Sequence, residues 1–250
     1  MLGRFYTIQQ AGYYSQGSKW TTMGYSTIFG MINSVGQPVF REASEDRQRL
    51  QNIFRKLMRF TAFVSFPAML GLAIVSQELI VISITEKWLP CVPVMQILCV
   101  WGAFMPISTL YSNLMNSIGR PNVYMWNTIA LGIFQLLCVW GSYPYGLNIM
   151  LIVYTAANIF WLLIWHYFAH KHIGISLLNT LKDIAPYLII SVAVMTFTYW
   201  VAGYVKNIYL SLLVKIALAA SLYIFLMWSL KSTVFLSLIH ISEPTRLRCI

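Results

Sequence analysis

The stretch LNIMLIVYTAANIFWLLIWHYFAH, residues 147–170, carries no Lys, Arg, Asp or Glu. It is longer than the run of about 20 apolar residues that a helix needs to cross the hydrocarbon core of a bilayer. Comparable runs precede and follow it. The pattern predicts helices near 16–40, 54–84, 90–117, 121–142, 147–170, 181–204 and 207–231, and all but the first are long and apolar enough to span. Composition agrees: 58% of residues are hydrophobic, 10% are charged and the mean hydropathy is +0.67, whereas a soluble domain carries about a quarter charged residues. A backbone in lipid must satisfy its own hydrogen bonds, and the alternation that a barrel strand requires occurs in none of these runs. The fold class is therefore all-α, a polytopic membrane bundle of about seven helices.

Charge in the linkers orients the bundle. Arg41, Arg47, Arg49, Arg55, Lys56, Arg59, Arg120, Lys171, Lys182 and Lys231 fall on one side. The other side has Lys87 and Lys206, with Arg4 and Lys19 near the chain's start. Basic residues in short loops stay on the cytoplasmic side, so the first group, and with it the C-terminus, is expected there. The net charge of +10 is thereby explained by topology, without the gathered basic surface that a nucleic-acid partner would require. Within FREASEDRQRLQNIFRKLMRF (Phe40–Phe60), Glu45 and Arg49 stand at i,i+4, and Leu50, Ile53, Phe54 and Leu57 follow helical spacing. This segment reads as a solvated amphipathic extension of the second helix, with a lipid-headgroup site as the alternative.

The chemistry-bearing residues are sparse. Cys91, Cys99 and Cys138 form no metal-ligand spacing and read as packing residues. His166 and His170, one turn apart, have metal-site spacing, but a polar helix end at the membrane interface explains them. The carboxylates Glu42, Glu45, Asp46, Glu78, Glu86 and Asp183 all lie in or near linkers, and no intramembrane acidic pair is expected. Lys215, inside the last apolar run, reads as a residue whose ammonium snorkels to the interface. There is no Gly-rich phosphate loop and no nucleophile constellation, so neither an enzyme nor a cofactor is implied, and transport is the expected activity.

The first helix is exceptional. Trp20 to Phe40 mixes Thr21, Thr22, Ser26, Thr27, Asn33, Ser34 and Gln37 with three glycines, too polar a set to face lipid all round. Ser26, Gly30 and Ser34 form a small-residue stripe suited to close helix approach, while Asn33 and Gln37 share a stripe suited to lining an aqueous cavity. Pro67 and Pro106 fall inside predicted spans, where each removes a backbone hydrogen bond and favours a kink.

Four strings in order, LGRFYTIQQAGYYSQGSKW (Leu2–Trp20), REASEDRQRL (Arg41–Leu50), EKWLPCVPVMQIL (Glu86–Leu98) and SIGRPNVY (Ser117–Tyr124), resemble the multidrug/oligosaccharidyl-lipid/polysaccharide exporter superfamily, and within it the bacterial polysaccharide-biosynthesis flippases. The resemblance runs over roughly residues 2 to 235 and implies the C-terminal lobe of a two-lobe transporter, residues 1–235, whose partner lobe lies upstream. It also implies a multi-pass protein of the bacterial inner membrane. The implied substrate is an oligosaccharide on a polyprenyl pyrophosphate, flipped by alternating access, with membrane lipids as surroundings. Lys19 stands where such sequences tend to carry a basic residue, and a cation there suits pyrophosphate; snorkelling is the competing reading. Arg4 and Tyr14, from the same segment, join Lys19, Asn33 and Gln37 as candidate substrate-binding residues. A multidrug or cation antiporter of the same superfamily and a membrane-embedded glycan polymerase or ligase are the alternative functions. The short outward linkers disfavour the last, which needs a large loop bearing catalytic residues. Finally, LSLIHISEPTR (Leu236–Arg246) breaks the membrane pattern and resembles translated sequencing-adapter read-through, so residues 236–250 are expected to be non-native.

Overall fold

A computed structural model describes residues 6–205 and 207–229. Arg4 and the expected non-native tail, 236–250, lie outside the described residues. Eight α-helices follow one another: α1 Ile8–Glu42, α2 Arg47–Ile74, α3 Ser76–Ser83, α4 Val92–Ser117, α5 Pro121–Ser142, α6 Leu147–Ile173, α7 Leu177–Ala202 and α8 Ile208–Ser229. Two 3₁₀ turns, Glu86–Cys91 and Tyr143–Tyr145, precede α4 and α6. Among the described residues there is no strand, and six helical segments are long and apolar enough to cross a membrane, α1 not among them.

Two helices depart from their sequence-derived bounds. α1 begins well before residue 16, because Thr7 and Gln10 form a capping box: the Thr7 hydroxyl accepts from the Gln10 amide and the Gln10 side chain accepts from the Thr7 amide. The run predicted at 54–84 is two helices. α2 starts at Arg47, capped by the Asp46 carboxylate accepting from the Arg49 amide, and it ends at Val75, after which α3 carries Glu78 inward. Because residues 43–45 turn between α1 and α2, the expected Glu45–Arg49 pair does not form. Arg49 instead reaches back to Glu42 at 2.7 Å.

α4 is the central helix, packed against α1, α2 and α6 and buried along most of its length. Lipid tails are as apolar as leucine, so helices associate here through close packing and satisfied polar groups. Gly102 shows the first. A Cβ there would lie 2.5 Å from Met69 Cε, 3.4 Å from Thr21 and 3.5 Å from Tyr25, so α1, α2 and α4 meet closely here and any larger residue would have to displace the end of the Met69 side chain. Ser65 shows the second: its hydroxyl donates to the Ala103 carbonyl at 2.6 Å, within the turn that Pro106 deprives of a backbone donor. Trp161 Nε1 donating to Asn127 at 2.7 Å and Gln135 donating to Asn158 at 2.8 Å tie α5 to α6. Such bonds average about 0.6 kcal/mol each in a membrane, enough to select a register and too little to hold the bundle alone. The outer face of α5 exposes Trp126, Ile129, Ile133, Leu137 and Trp140, a surface fit for lipid.

The helices alternate in direction, so the linkers after α1, α4 and α6 gather at one end, the basic end. There the segment read as a solvated extension is instead part of the bundle. Arg47 Nε and Gln51 Nε2 both donate to the carbonyl of Ile173, one of the orphan acceptors at the end of α6. Gly174 closes that helix at φ +77°, and a side chain there would strike Arg47 2.5 Å away. One turn further along α2, Arg55 grips the buried Asp183 of α7 with two bonds of 2.7 and 3.1 Å, and Arg59 lies 3.6 Å from the same carboxylate. Three of the basic residues credited to topology thus also fasten α2 to α6 and α7.

Candidate functional site

α1 presents two unlike faces. One is buried through Gly17, Thr21, Ile28, Ile32, Gly36 and Phe40 against α2 and α4. The other is largely open, although at its basic end Gln37 bonds Asn113 and Ser117 of α4. At 100° per residue, Lys19, Ser26, Gly30, Gln37 and Arg41 fall within an arc of about 60°, and all five are exposed. The stripe carries a cation at each end and only neutral groups between. Ser26 and Ser34 donate to Met23 and Met31 carbonyls on α1 itself, and nothing lies within 4 Å of a Cβ built on Gly30. The small-residue stripe therefore serves no packing among the described residues; the close approaches occur at Gly17, Gly24 and Gly102.

The sequence-derived candidates do not converge on one pocket. Lys19 projects from the exposed stripe with no hydrogen bond or ion pair among the described residues. It lies near the end of the bundle opposite the basic one, since its neighbours Gly17 and Thr21 meet Met95 and Cys99 in the first turns of α4. Tyr14 faces elsewhere, into an apolar groove of about 450 Å³ shared with Gln135 of α5 and Met150 and Tyr154 of α6. Nearby, the Tyr6 hydroxyl donates to the Tyr143 carbonyl at 2.9 Å, and burial pushes its pKa up, which keeps it a donor.

Asn33 and Gln37 sit at the basic end, about 21 to 27 Å along the helix from Lys19 at 1.5 Å per residue. Both contact Asn113, a buried polar residue in the middle of an apolar run: Asn113 donates to Asn33 at 2.9 Å and accepts from Gln37 at 3.1 Å. The pair therefore packs and lines at once, because beyond Asn113 both border a polar cleft of about 590 Å³ with Arg41, Asn116 and Ser117. Sequence reading passed over Asn113, Asn116 and Arg41. Two asparagines in the last turns of an otherwise apolar helix were the available signal, since lipid offers them no partner.

A second polar site lies between α3 and α8. Lys215, expected to snorkel, is 6% exposed, and its ammonium donates to Glu78 at 2.5 Å and to the Ile74 carbonyl at 2.9 Å. Ser211 also donates to Glu78, at 2.8 Å, and the Tyr199 ring lies 5.4 Å from the ammonium. The break between α2 and α3 turns Glu78 into the bundle, so two expectations are corrected: Glu78 is buried and not at a linker surface, and Lys215 pairs with it and does not snorkel. His166 is corrected too: it is buried, 3.2 Å from the Tyr111 hydroxyl, and not interfacial. His170 bonds separately, to the Ile175 carbonyl.

Residues 1–93, which include the whole of α1 and the basic linker, match the model of a family described as polysaccharide biosynthesis protein. Over these 93 of its 250 residues the chain is similar to polysaccharide biosynthesis proteins. An uncharacterized membrane protein in the cps region of Klebsiella pneumoniae is 30% identical over 110 residues, 44% of this chain and 23% of that protein. The lipopolysaccharide biosynthesis protein WzxC of Escherichia coli K12 is 30% identical over 105 residues, 42% of this chain and 21% of its own. The teichuronic acid biosynthesis protein TuaB of Bacillus subtilis 168 is 24% identical over 135 residues, 54% and 28%. The matches thus span between 21% and 28% of these relatives' lengths. No solved structure matches. The family match covers both ends of the polar stripe and Glu78, while Lys215 lies beyond it.

Proposed function

We propose that this chain contributes one lobe of a flippase that carries a polyprenyl-pyrophosphate-linked oligosaccharide from the cytoplasmic to the periplasmic leaflet of the bacterial inner membrane by alternating access. The observation that carries the reading is the exposed polar stripe of α1, whose residues from Lys19 to Gly30 have no side-chain bond to another helix, and which α4 meets at the basic end through Gln37. Polar side chains facing lipid are costly, so such a face calls for water, substrate or another lobe opposite it. Lys19 is the pyrophosphate partner, Asn33 and Gln37 line the path at the basic end, and Tyr14 and Arg4 belong to the same N-terminal segment. The names of the relatives, lipopolysaccharide and teichuronic acid biosynthesis proteins, fit a glycan cargo. Inactivating the gene is expected to leave lipid-linked oligosaccharide accumulated in the membrane and surface glycan absent. Unchanged glycan with a new sensitivity to toxic cations would replace this reading with the antiporter.

The antiporter reading gains one observation, the buried Glu78, because cation coupling uses intramembrane carboxylates. Lys215 neutralises that carboxylate in place, which leaves the flippase the better account. The direction of transport follows from the basic end being cytoplasmic. In a cysteine-free background, Lys87→Cys and Tyr145→Cys are expected to react with an impermeant thiol reagent in intact cells, and Glu45→Cys and Asn179→Cys only after permeabilisation. All four positions are exposed and in or next to linkers. Labelling of Glu45→Cys in intact cells would reverse the orientation.

A further inference from the structure

Four donors climb one face of α2 at intervals of about one turn: Arg47, Gln51, Arg55 and Arg59. Two acceptors face these four rungs, and each is reached by a neighbouring pair. The Ile173 carbonyl takes Arg47 and Gln51. The Asp183 carboxylate takes Arg55 through two bonds of 2.7 and 3.1 Å and stands 3.6 Å from Arg59. The second clamp is the unequal one. A buried carboxylate faces two arginines whose side chains are each about a third exposed, so neutralising Asp183 takes only one of them. Arg59 Nε also donates to the Arg55 carbonyl at 3.4 Å, a long bond within its own helix.

The two clamps hold different things. α6 packs against α4 and α5, so the Ile173 clamp joins α2 to a helix of the central packing. α7 and α8 pack on each other and reach the rest of the bundle mainly through α2 and α3. A short link, Gly174 at φ +77° followed by Ile175 and Ser176, is where this hairpin leaves α6. At the opposite end the Lys215 ammonium pins α8 to Glu78 of α3. Between that pin and the Asp183 clamp the seam leaves an apolar crevice of about 510 Å³, bordered by Pro67 and Gly71 of α2, Met195 of α7 and Ala219 and Tyr223 of α8. The hairpin is thus pinned at one end, loosely packed along its middle and held at the basic end by a carboxylate with two cations in reach.

We propose that Asp183 is handed between Arg55 and Arg59, and that this exchange sets two positions of the α7–α8 hairpin against α2. Both α2 and α7 start at the basic end, so Arg59 lies deeper than Arg55 by about 6 Å, the rise of four residues. Passing Asp183 to Arg59 moves α7 away from the basic end by no more than that rise. The carboxylate keeps an arginine throughout, so the move strands no buried charge, which is the cost that holds such pairs fixed. Helices that trade one set of partners for the next along a ladder have two discrete arrangements rather than a continuum. The use of this exchange, opening and closing the basic end during transport, rests on the flippase reading, while the exchange itself stands on the ladder's geometry.

The test places spin labels at Gln48→Cys on α2 and Ile189→Cys on α7, both exposed, in the cysteine-free full chain in lipid nanodiscs, and reads their separation by double electron–electron resonance. Arg59→Gln is expected to give a single short distance, with Asp183 held by Arg55. Arg55→Gln is expected to give a distance longer by up to about 6 Å, and the parent a mixture of the two. Arg55→Lys keeps the charge but loses the two-bond fork. It is expected to raise the longer fraction, and it carries the test if circular dichroism melting shows Arg55→Gln unfolded. Equal distances in Arg55→Gln and Arg59→Gln, shifts of both in the same direction, or a parent confined to the short distance identify a static clamp and overturn the exchange. In the transporter, Arg59→Gln is expected to lower glycan export severalfold at parental abundance. Normal export together with opposite distance shifts overturns the gating role and leaves the flippase reading standing. Glycan export that survives loss of the whole protein removes that reading and leaves the exchange intact.

Discussion

Replacing Lys215 with Met is expected to unfold or deplete the protein, because it strands the Glu78 carboxylate where neither water nor another cation reaches it. Glu78 is 7% exposed, and its Oε2 already has no hydrogen-bond partner. Breaking a buried ion pair from one side costs about 3–5 kcal/mol, since the remaining charge keeps its desolvation penalty and loses its compensation. Glu78→Leu strands the ammonium in the same way, although the Ile74 carbonyl and the Tyr199 ring still receive it, so the loss is expected to be smaller. The double variant Glu78→Leu/Lys215→Met removes both charges and is expected to recover much of the lost stability, as apolar replacements of buried pairs do. Thermal melting of the detergent-solubilised protein and its level in the membrane are the two measurements. A Lys215→Met protein as stable as the parent would show that water reaches Glu78 and that the pair holds nothing together.

Replacing Lys19 with Gln in the transporter is expected to abolish glycan export while leaving the protein inserted. Lys19 stands on the exposed face of α1 with no partner among the described residues, so its removal breaks no contact that the fold uses. That separates the two lysines. Lys215 is held by three groups and its loss is a loss of stability, whereas Lys19 is held by none and its loss, if the flippase reading is right, is a loss of function alone. Arg at position 19 is expected to retain substantial export, because it also pairs with phosphate oxygens. Complementation of a flippase-deficient strain, with membrane abundance measured alongside, reads the result. Normal export by the Gln variant at parental abundance would leave Lys19 as an interfacial anchor.

Between these two lysines lies the difference between what periodicity reveals and what packing reveals. Both are single charges in or beside apolar helices, and the sequence offers the same two accounts for each, an interfacial cation or a partner for an anion. Lys215 meets Glu78 only because α2 breaks at Val75 and α3 turns the carboxylate inward. That break lies inside an apolar run that reads as continuous, from 54 to 84. Likewise Arg47, Arg55 and Arg59 count toward topology in the sequence, and only the return of α6 and α7 beside α2 shows which acceptors they serve.

The all-α membrane architecture, the six spans and the peculiar polarity of the first helix were legible from the chain alone. They follow from the length and apolarity that a bilayer demands of each segment separately, and each segment carries that information locally. The stripe on α1 was half legible: helical spacing puts Asn33 and Gln37 together, and the same 100° rotation extends to Lys19 and Arg41. Which face of α1 is buried, however, depends on glycines that let α1, α2 and α4 touch, and on Asn113 reaching across from α4. The Arg41 cleft and the Glu78–Lys215 pair depend on residues 75 to 137 positions apart. No local propensity encodes such separations; they arise only when helices distant in sequence pack and bury, or leave open, the polar groups they bring together.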